Sequence, residues 1–167
     1  MPEKKTIERA KRDKQEGKAA STQAGEFVRE EMDHIREGKH GARSSKQAIA
    51  IGLSKARRAG VDLPPPKRGK TSAKTRHEAE LANEAGRKPA RKTSRTRSRA
   101  TTNALKREPR AAASKQALSR QAHSAAAKRS AASRSNAARK AASTKGASGR
   151  SAAARKAART REQHASR

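Results

Sequence analysis

The sequence predicts a mostly α-helical protein: a small helical hairpin or bundle module, then a long Lys/Arg/Ala-rich tail that is disordered or conditionally helical. Three observations carry this. The 167 residues include one Phe, no Trp, no Tyr and no Cys, while 35% are charged. Ordering a residue costs about 1–2 kcal/mol of backbone entropy, which so few branched or aromatic side chains offset only locally. Charge is also uneven: residues 1–63 hold 15 basic and 10 acidic side chains, residues 64–167 hold 29 and 5. Net charge is therefore +5 before the Pro64-Pro65-Pro66 run and +24 after it, within a total of +29. Finally, the larger apolar residues of the first part recur at helical spacing.

Residues 1–63 read as the helical module, with three helices. Thr6 to about Glu16 mixes opposite charges and stops at Gly17, which predicts a helix over 6–16. A second helix, over 24–37, carries Val28, Met32 and Ile35 at i, i+4 and i+7, with Phe27 on the margin and Gly38 as its C-cap. The third, over 45–59, lies in SSKQAIAIGLSKARRAG. Ser44 followed by Gln47 matches the capping box, Gly60 suits the residue past the last turn, and Arg57 and Arg58 sit where the helix dipole favours cations. Ala48, Ile49, Ile51, Gly52, Leu53, Ala56 and Ala59 form one broad face, opposite Ser54, Arg57 and Arg58. Val61 and Leu63 can fold back onto the apolar side. The glycine-bearing link from Gly38 to Arg43 makes the second and third helices a hairpin. Below about 40 residues an unaided core is rarely stable, so self-association or a bound polyanion is expected to complete it.

Residues 64–73 read as a proline-containing basic linker, since Pro64-Pro65-Pro66 cannot continue a helix. A short helix follows over 74–86, with Thr75 and Glu78 in capping-box spacing. Residues 87–167 form the low-complexity cationic tail. Within it, RKPARKTSRTRSRATTNALKR (87–107) places Arg95, Arg97 and Arg99 at period two, and residues 110–167 interleave Ala with Arg, Lys and Ser. Alanine is the best helix former, so this tract is either permanently disordered or becomes helical once phosphates neutralise its repulsion.

An internal echo appears at an offset of 69 residues. Lys5-Thr6 and Ala10 match Lys74-Thr75 and Ala79, Gly17-Lys18 matches Gly86-Arg87, and Ser45-Lys46-Gln47-Ala48-Ile49 matches Ser114-Lys115-Gln116-Ala117-Leu118. The second copy has no counterpart of the Phe27–Ile35 stripe. A divergent duplication would explain the matches, and low complexity inflates them.

Catalytic signals are almost absent, and no enzyme, cofactor or metal is expected. His34, His40, His77, His123 and His164 are scattered. His34 and His40 flank Glu37, but four ligands at the usual spacing are not there, and the pair reads as solvated residues beside a turn. Glu30, Glu31, Asp33 and Glu37 read as the solvated face of a helix. Walker, GxSxG and dinucleotide fingerprints are missing.

The strong signal is electrostatic. Such a polycation favours a polyanionic partner, and nucleic acid is the abundant one. Too few aromatics exist to stack bases, so duplex DNA, bound nonspecifically by phosphate neutralisation in the manner of histone-like tails, is the expected partner, with RNA a further one. The candidate phosphate contacts are Arg57, Arg58, Lys67, Arg68, Lys70, Arg95, Arg97, Arg99, Lys128, Arg129, Arg139, Lys140, Arg155 and Lys156. A membrane partner is not expected, because the tail lacks the Trp, Phe or Leu that would enter lipid. With neither a secretory signal nor an apolar run of membrane length, cytoplasmic residence on the nucleoid is the default.

The stretch GEFVREEMDHIREGKHGARSSKQAIAIGLSKARRAG resembles a family of small, basic, uncharacterised bacterial proteins in which an S-KQAIAIALS-ARRAG pattern follows a helix and an HGK-like turn. Some members that share VDLPPPKRGKTS and an AKTRHEAE-like stretch carry the label plasmid stabilization. The resemblance spans about residues 5–80 and implies no catalytic residues. It implies a second reading, a plasmid-maintenance factor whose 44–60 helix docks a protein partner.

Overall fold

The computed structural model describes residues 2–89 and 94–165. Ala90 to Thr93, part of the Arg-rich tract above, lie outside the described residues, as do residues 1, 166 and 167. Among those described, every regular element is helical: α1 (Lys4–Gln15), α2 (Ala20–Arg36), α3 (Ser45–Arg58), α4 (Ala73–Arg87), α5 (Arg95–Lys106), a 3-10 turn (Arg110–Ala113), α6 (Lys115–Ala127) and α7 (Ala131–Ala165). The chain divides into two compact units, Met1–Gln121 and Ala122–Arg167.

In the first unit α1 packs on α2, α2 on α3 and α3 on α4, while the 3-10 turn packs on α2 and α3. The contact surfaces are built from small residues. On α3 the buried positions are Ser45, Ala48, Gly52, Ala56 and Arg57, a narrower stripe than the apolar face the sequence suggests. Ile49, Ile51 and Leu53 flank it half-buried, and Ala59 is exposed. Gly52 explains the preference. A Cβ there would stand 2.7 Å from the Val28 Cα, so α2 and α3 approach more closely than any larger residue permits.

The core is two clusters rather than one stripe. Met32 and Ile35 join Ala42, Ala48, Ala112 and Ala113, with Val28, Ile49 and Leu118 at the edge. Phe27 turns away from them to join Ala10, Ala24, Ala56 and Val61, with Leu53 and Leu63 alongside. Phe27 is thus not marginal; it is 1% exposed and among the largest fully buried side chains. At 100° per residue Phe27 and Val28 point to different sides of α2, and α1 covers the Phe27 side.

Caps explain the helix starts, with two departures from the sequence reading. Ser44 Oγ accepts from Gln47 N (3.3 Å), but the Gln47 side chain accepts from Arg43 N (2.7 Å) instead of returning to Ser44. For α4 the cap is Ser72, whose Oγ accepts from Thr75 N (3.2 Å), so Thr75 lies inside the helix and not at its start. Gly60 ends α3 with φ 87°, a left-handed value that costs glycine little.

Of the two states expected of the tail, disorder is not what its described residues have: α5, α6 and α7 are helices. The physical reason is alanine, 13 of the 35 residues of α7, which loses no side-chain entropy on entering a helix. In the second unit α7 is broken at Gly146 (φ 65°, ψ 176°), and the Arg150 guanidinium donates to the Ala142 carbonyl (2.7 Å) across the break.

Nor is residue 63 or 87 a packing boundary. The α2–α3 turn is bound to residues 105–113: Gly41 N donates to Leu105 O (2.8 Å) and Ala42 N to Pro109 O (3.1 Å). Ser45 Oγ donates to Ala112 O (2.6 Å) and Arg36 Nε to Ala113 O (3.1 Å). Ala112 and Ala113 are buried in the Met32–Ile35 cluster. Nothing in the local pattern marks these two alanines, because only contact with α2 and α3 decides their burial. The 69-residue offset also recurs in the helix limits: α1 begins at Lys4 and α4 at Ala73, and α3 ends at Arg58 and α6 at Ala127.

Candidate nucleic-acid interface

The fourteen candidate cations divide sharply. Arg57 is 7% exposed, and its guanidinium donates to Leu63 O and Pro64 O, both at 3.3 Å. Burial pushes its pKa down from the usual arginine value. Arg57 therefore latches the fold-back after α3, with its guanidinium turned to backbone carbonyls rather than to solvent. The reason is rotational: packing of α4 beside α3 and the return of Val61 and Leu63 enclose a position that the helical wheel alone sets on the solvent side.

The other thirteen are exposed. Arg58 ends α3; Lys67, Arg68 and Lys70 sit at the turn before α4. In α5, Arg95 and Arg99 are one turn apart and share a face, while Arg97 points nearly opposite. Lys128 and Arg129 lie between α6 and α7, and Arg129 donates to the Ser133 Oγ (3.3 Å) and carbonyl (3.4 Å). Arg139, Lys140, Arg155 and Lys156 project from α7, none of whose described residues is buried. The apolar side of α3 faces α2 and α4, so a protein partner would meet its exposed positions, among them Lys46, Ala50 and Arg58.

A second constellation escapes the sequence reading. Glu30 and Glu31, expected on a solvated face, are 4% and 0% exposed, and His34 and His40 are half-buried rather than solvated. Because α1 and α3 both pack on α2, too little of its surface is left for all its charges. Lys55 of α3 reaches in, with Nζ 2.6 Å from Glu31 Oε2 and 3.9 Å from Glu30 Oε1. His40 Nε2 lies 3.4 Å from Glu31 Oε1, and His34 Nε2 lies 3.0 Å from Glu3 Oε1. Hydrogen bonds from His34 and Lys39 hold the Glu3 carboxyl below the usual glutamate value. Among the described residues, Glu31, His34 and His40 form the group that could hold a metal ion, with one donor atom from each inside a 4.8 Å set. The available signal was Glu31-x-x-His34, one helical turn on a single face, rather than the Glu37 that separates the two histidines in sequence.

Residues 3–68 match the model of a family of unknown function (DUF6496), a span that holds α1 to α3 and the proline run. No curated protein and no solved structure matches the chain. No helix among the described residues is long and apolar enough to cross a membrane.

Proposed function

We propose that this is a histone-like protein that binds duplex DNA largely without reading its sequence, neutralising phosphates with its C-terminal half and residing on the nucleoid. One observation carries the reading: thirteen of the fourteen candidate cations are exposed, and residues 109–167 hold 15 basic residues to one acidic, Glu162. Lys and Arg contacts to phosphate release condensed counterions, which drives association without base recognition. The form of α7 supports duplex over single strands. Its alanines keep the helical stretches on either side of Gly146 slim, and Arg139 and Lys140 leave the first about 100° apart, so cations face several directions at once. A major groove about 12 Å wide, walled by phosphates on both sides, suits one such stretch. Base stacking lacks a partner, since Phe27, the one aromatic residue beside the histidines, is buried.

A salt-titrated gel shift with duplex DNA, comparing the full chain with one ending at Gln121, tests this. Residues 122–167 carry twelve basic residues and one acidic. Their removal is expected to weaken binding more than about tenfold at low salt and to flatten the salt dependence, since each phosphate contact contributes about −0.9 to the slope of log K against log salt. An affinity that hardly changes between low and moderate salt refutes the proposal. Retention of the biological effect by the shortened chain favours plasmid maintenance through a protein partner of α3, and preferential competition by structured RNA favours an RNA target.

A further inference from the structure

We propose that Glu31, His34 and His40 form a binding site for one divalent transition-metal ion, of which zinc best suits two imidazoles and a carboxylate. One donor atom of each lies within 4.8 Å of the others. Zinc ligands about 2.0–2.2 Å from the metal stand roughly 3.4 Å apart in a tetrahedron, so closure needs side-chain movement of about 1 Å.

The site is held by structure on both sides. Glu31 and His34 occupy successive turns of one α2 face. His40 comes from the α2–α3 turn, whose next two amides are bonded to Leu105 O and Pro109 O. The third ligand therefore sits on anchored backbone.

Two further observations point to a cation. Both Glu31 carboxylate oxygens are buried and neither accepts an aligned hydrogen bond. Lys55 Nζ, 2.6 Å away, satisfies Oε2 by charge alone and leaves Oε1 facing His40. The His40 ring then decides what Oε1 meets. Its Nδ1 is 3.1 Å from the Gly41 carbonyl, which can only accept, so Nδ1 carries the proton. In the neutral ring Nε2 consequently aims a lone pair at Glu31 Oε1, 3.4 Å away. Two acceptors so placed, one of them inside the protein, are bridged either by a proton on Nε2 or by a metal cation, and the second is the one proposed here. The Nδ1–carbonyl bond is also the contact that commonly orients a metal-binding imidazole.

Neighbouring charge fits. Glu30 Oε1, buried without a hydrogen-bond partner, lies 3.9 Å from His34 Nε2, and Glu3 Oε1 lies 3.0 Å from it. Glu3, Glu30 and Glu31 outweigh Lys39 and Lys55 by one negative charge while the histidines are neutral. Either Glu3 or water can supply a fourth donor. Calcium and magnesium prefer all-oxygen shells and are disfavoured by the imidazoles. The ion would tie α2 to the turn that follows it, within the segment that matches the family model.

The test is Co2+ and Zn2+ titration of tag-free full-length protein. Co2+ is read by the visible d–d bands of a tetrahedral site, Zn2+ by its displacement and by calorimetry. One equivalent is expected to bind, with affinity reduced at least about tenfold in His34→Ala and in His40→Ala, and unchanged in His77→Ala. One equivalent of zinc should also raise the Tm of the parent chain but not of His40→Ala. Glu31→Gln should weaken binding too. Should that variant misfold, the histidine variants decide, provided their circular dichroism matches the parent. Absence of d–d bands, or parental zinc affinity in His40→Ala, overturns the site.

Discussion

In α3, Ala48 and Ala56 are fully buried and Gly52 between them admits the backbone of Val28; in α7, thirteen alanines run along a helix with no buried described residue. The residue type is shared, but its work differs. In α3 small side chains are a packing device, because the contact with α2 is set by how closely two backbones can lie. In α7 they supply only propensity, the per-residue advantage of alanine in any helix. A helix of the first kind is stabilised by its neighbours, one of the second by itself, so the same substitution should cost the first much and the second little.

The largest effect should come from removing what the small residues enclose. Phe27→Ala empties the cluster around Ala10, Ala24, Ala56 and Val61, and is expected to cost about 3–5 kcal/mol, read as a lowered denaturation midpoint. Next comes the direct comparison. Ala48→Leu forces a larger side chain into a site with 0% exposure and should cost about 1–3 kcal/mol. The same change at exposed Ala141 of α7 should stay within about 0.5 kcal/mol. Equal effects would mean that α7 packs as α3 does. Ser44→Ala removes the acceptor for Gln47 N and should cost about 1 kcal/mol in the first unit, with the helicity of α7 untouched.

The smallest effect is alkaline. Hydrogen bonds to Asp13 and then Glu16 raise the Lys18 pKa above its ordinary 10.5. A folded pKa above the unfolded one gives stability that is complete below about 10.5 and lost as pH rises through the folded value. Lys18→Met should remove that alkaline slope, measured as midpoint against pH. Lys18 is well exposed, so the slope should also shrink in high salt.

Much of the helical framework was legible. Charge mixing with Gly17 marked α1, the Val28–Met32–Ile35 spacing marked α2, and Ser44 with Gly60 bracketed α3, because these signals act within a turn or two of chain. The thirteen exposed cations needed no tertiary information either, since charge at such density stays in water. Arg57 was misread because its enclosure depends on α4 and on the fold-back through Leu63 and Pro64. Glu30 and Glu31 were misread for the same reason: a polar residue on a helix faces solvent only if no second neighbour covers that side.

What the sequence alone determined is therefore local and electrostatic: helices, their main stops, and a polycationic half. Tertiary structure decided the rest. It alone brought Ala112 and Ala113 under α2 and α3, turned Arg57 from a surface charge into a latch, gathered Glu31, His34 and His40, and set Lys55 against Glu31. The physical reason is that hydrogen-bonded turns and charge density are properties of neighbouring residues. Burial is a property of whichever distant segment arrives to exclude the water, and alanine-rich sequence carries little mark of where that will be.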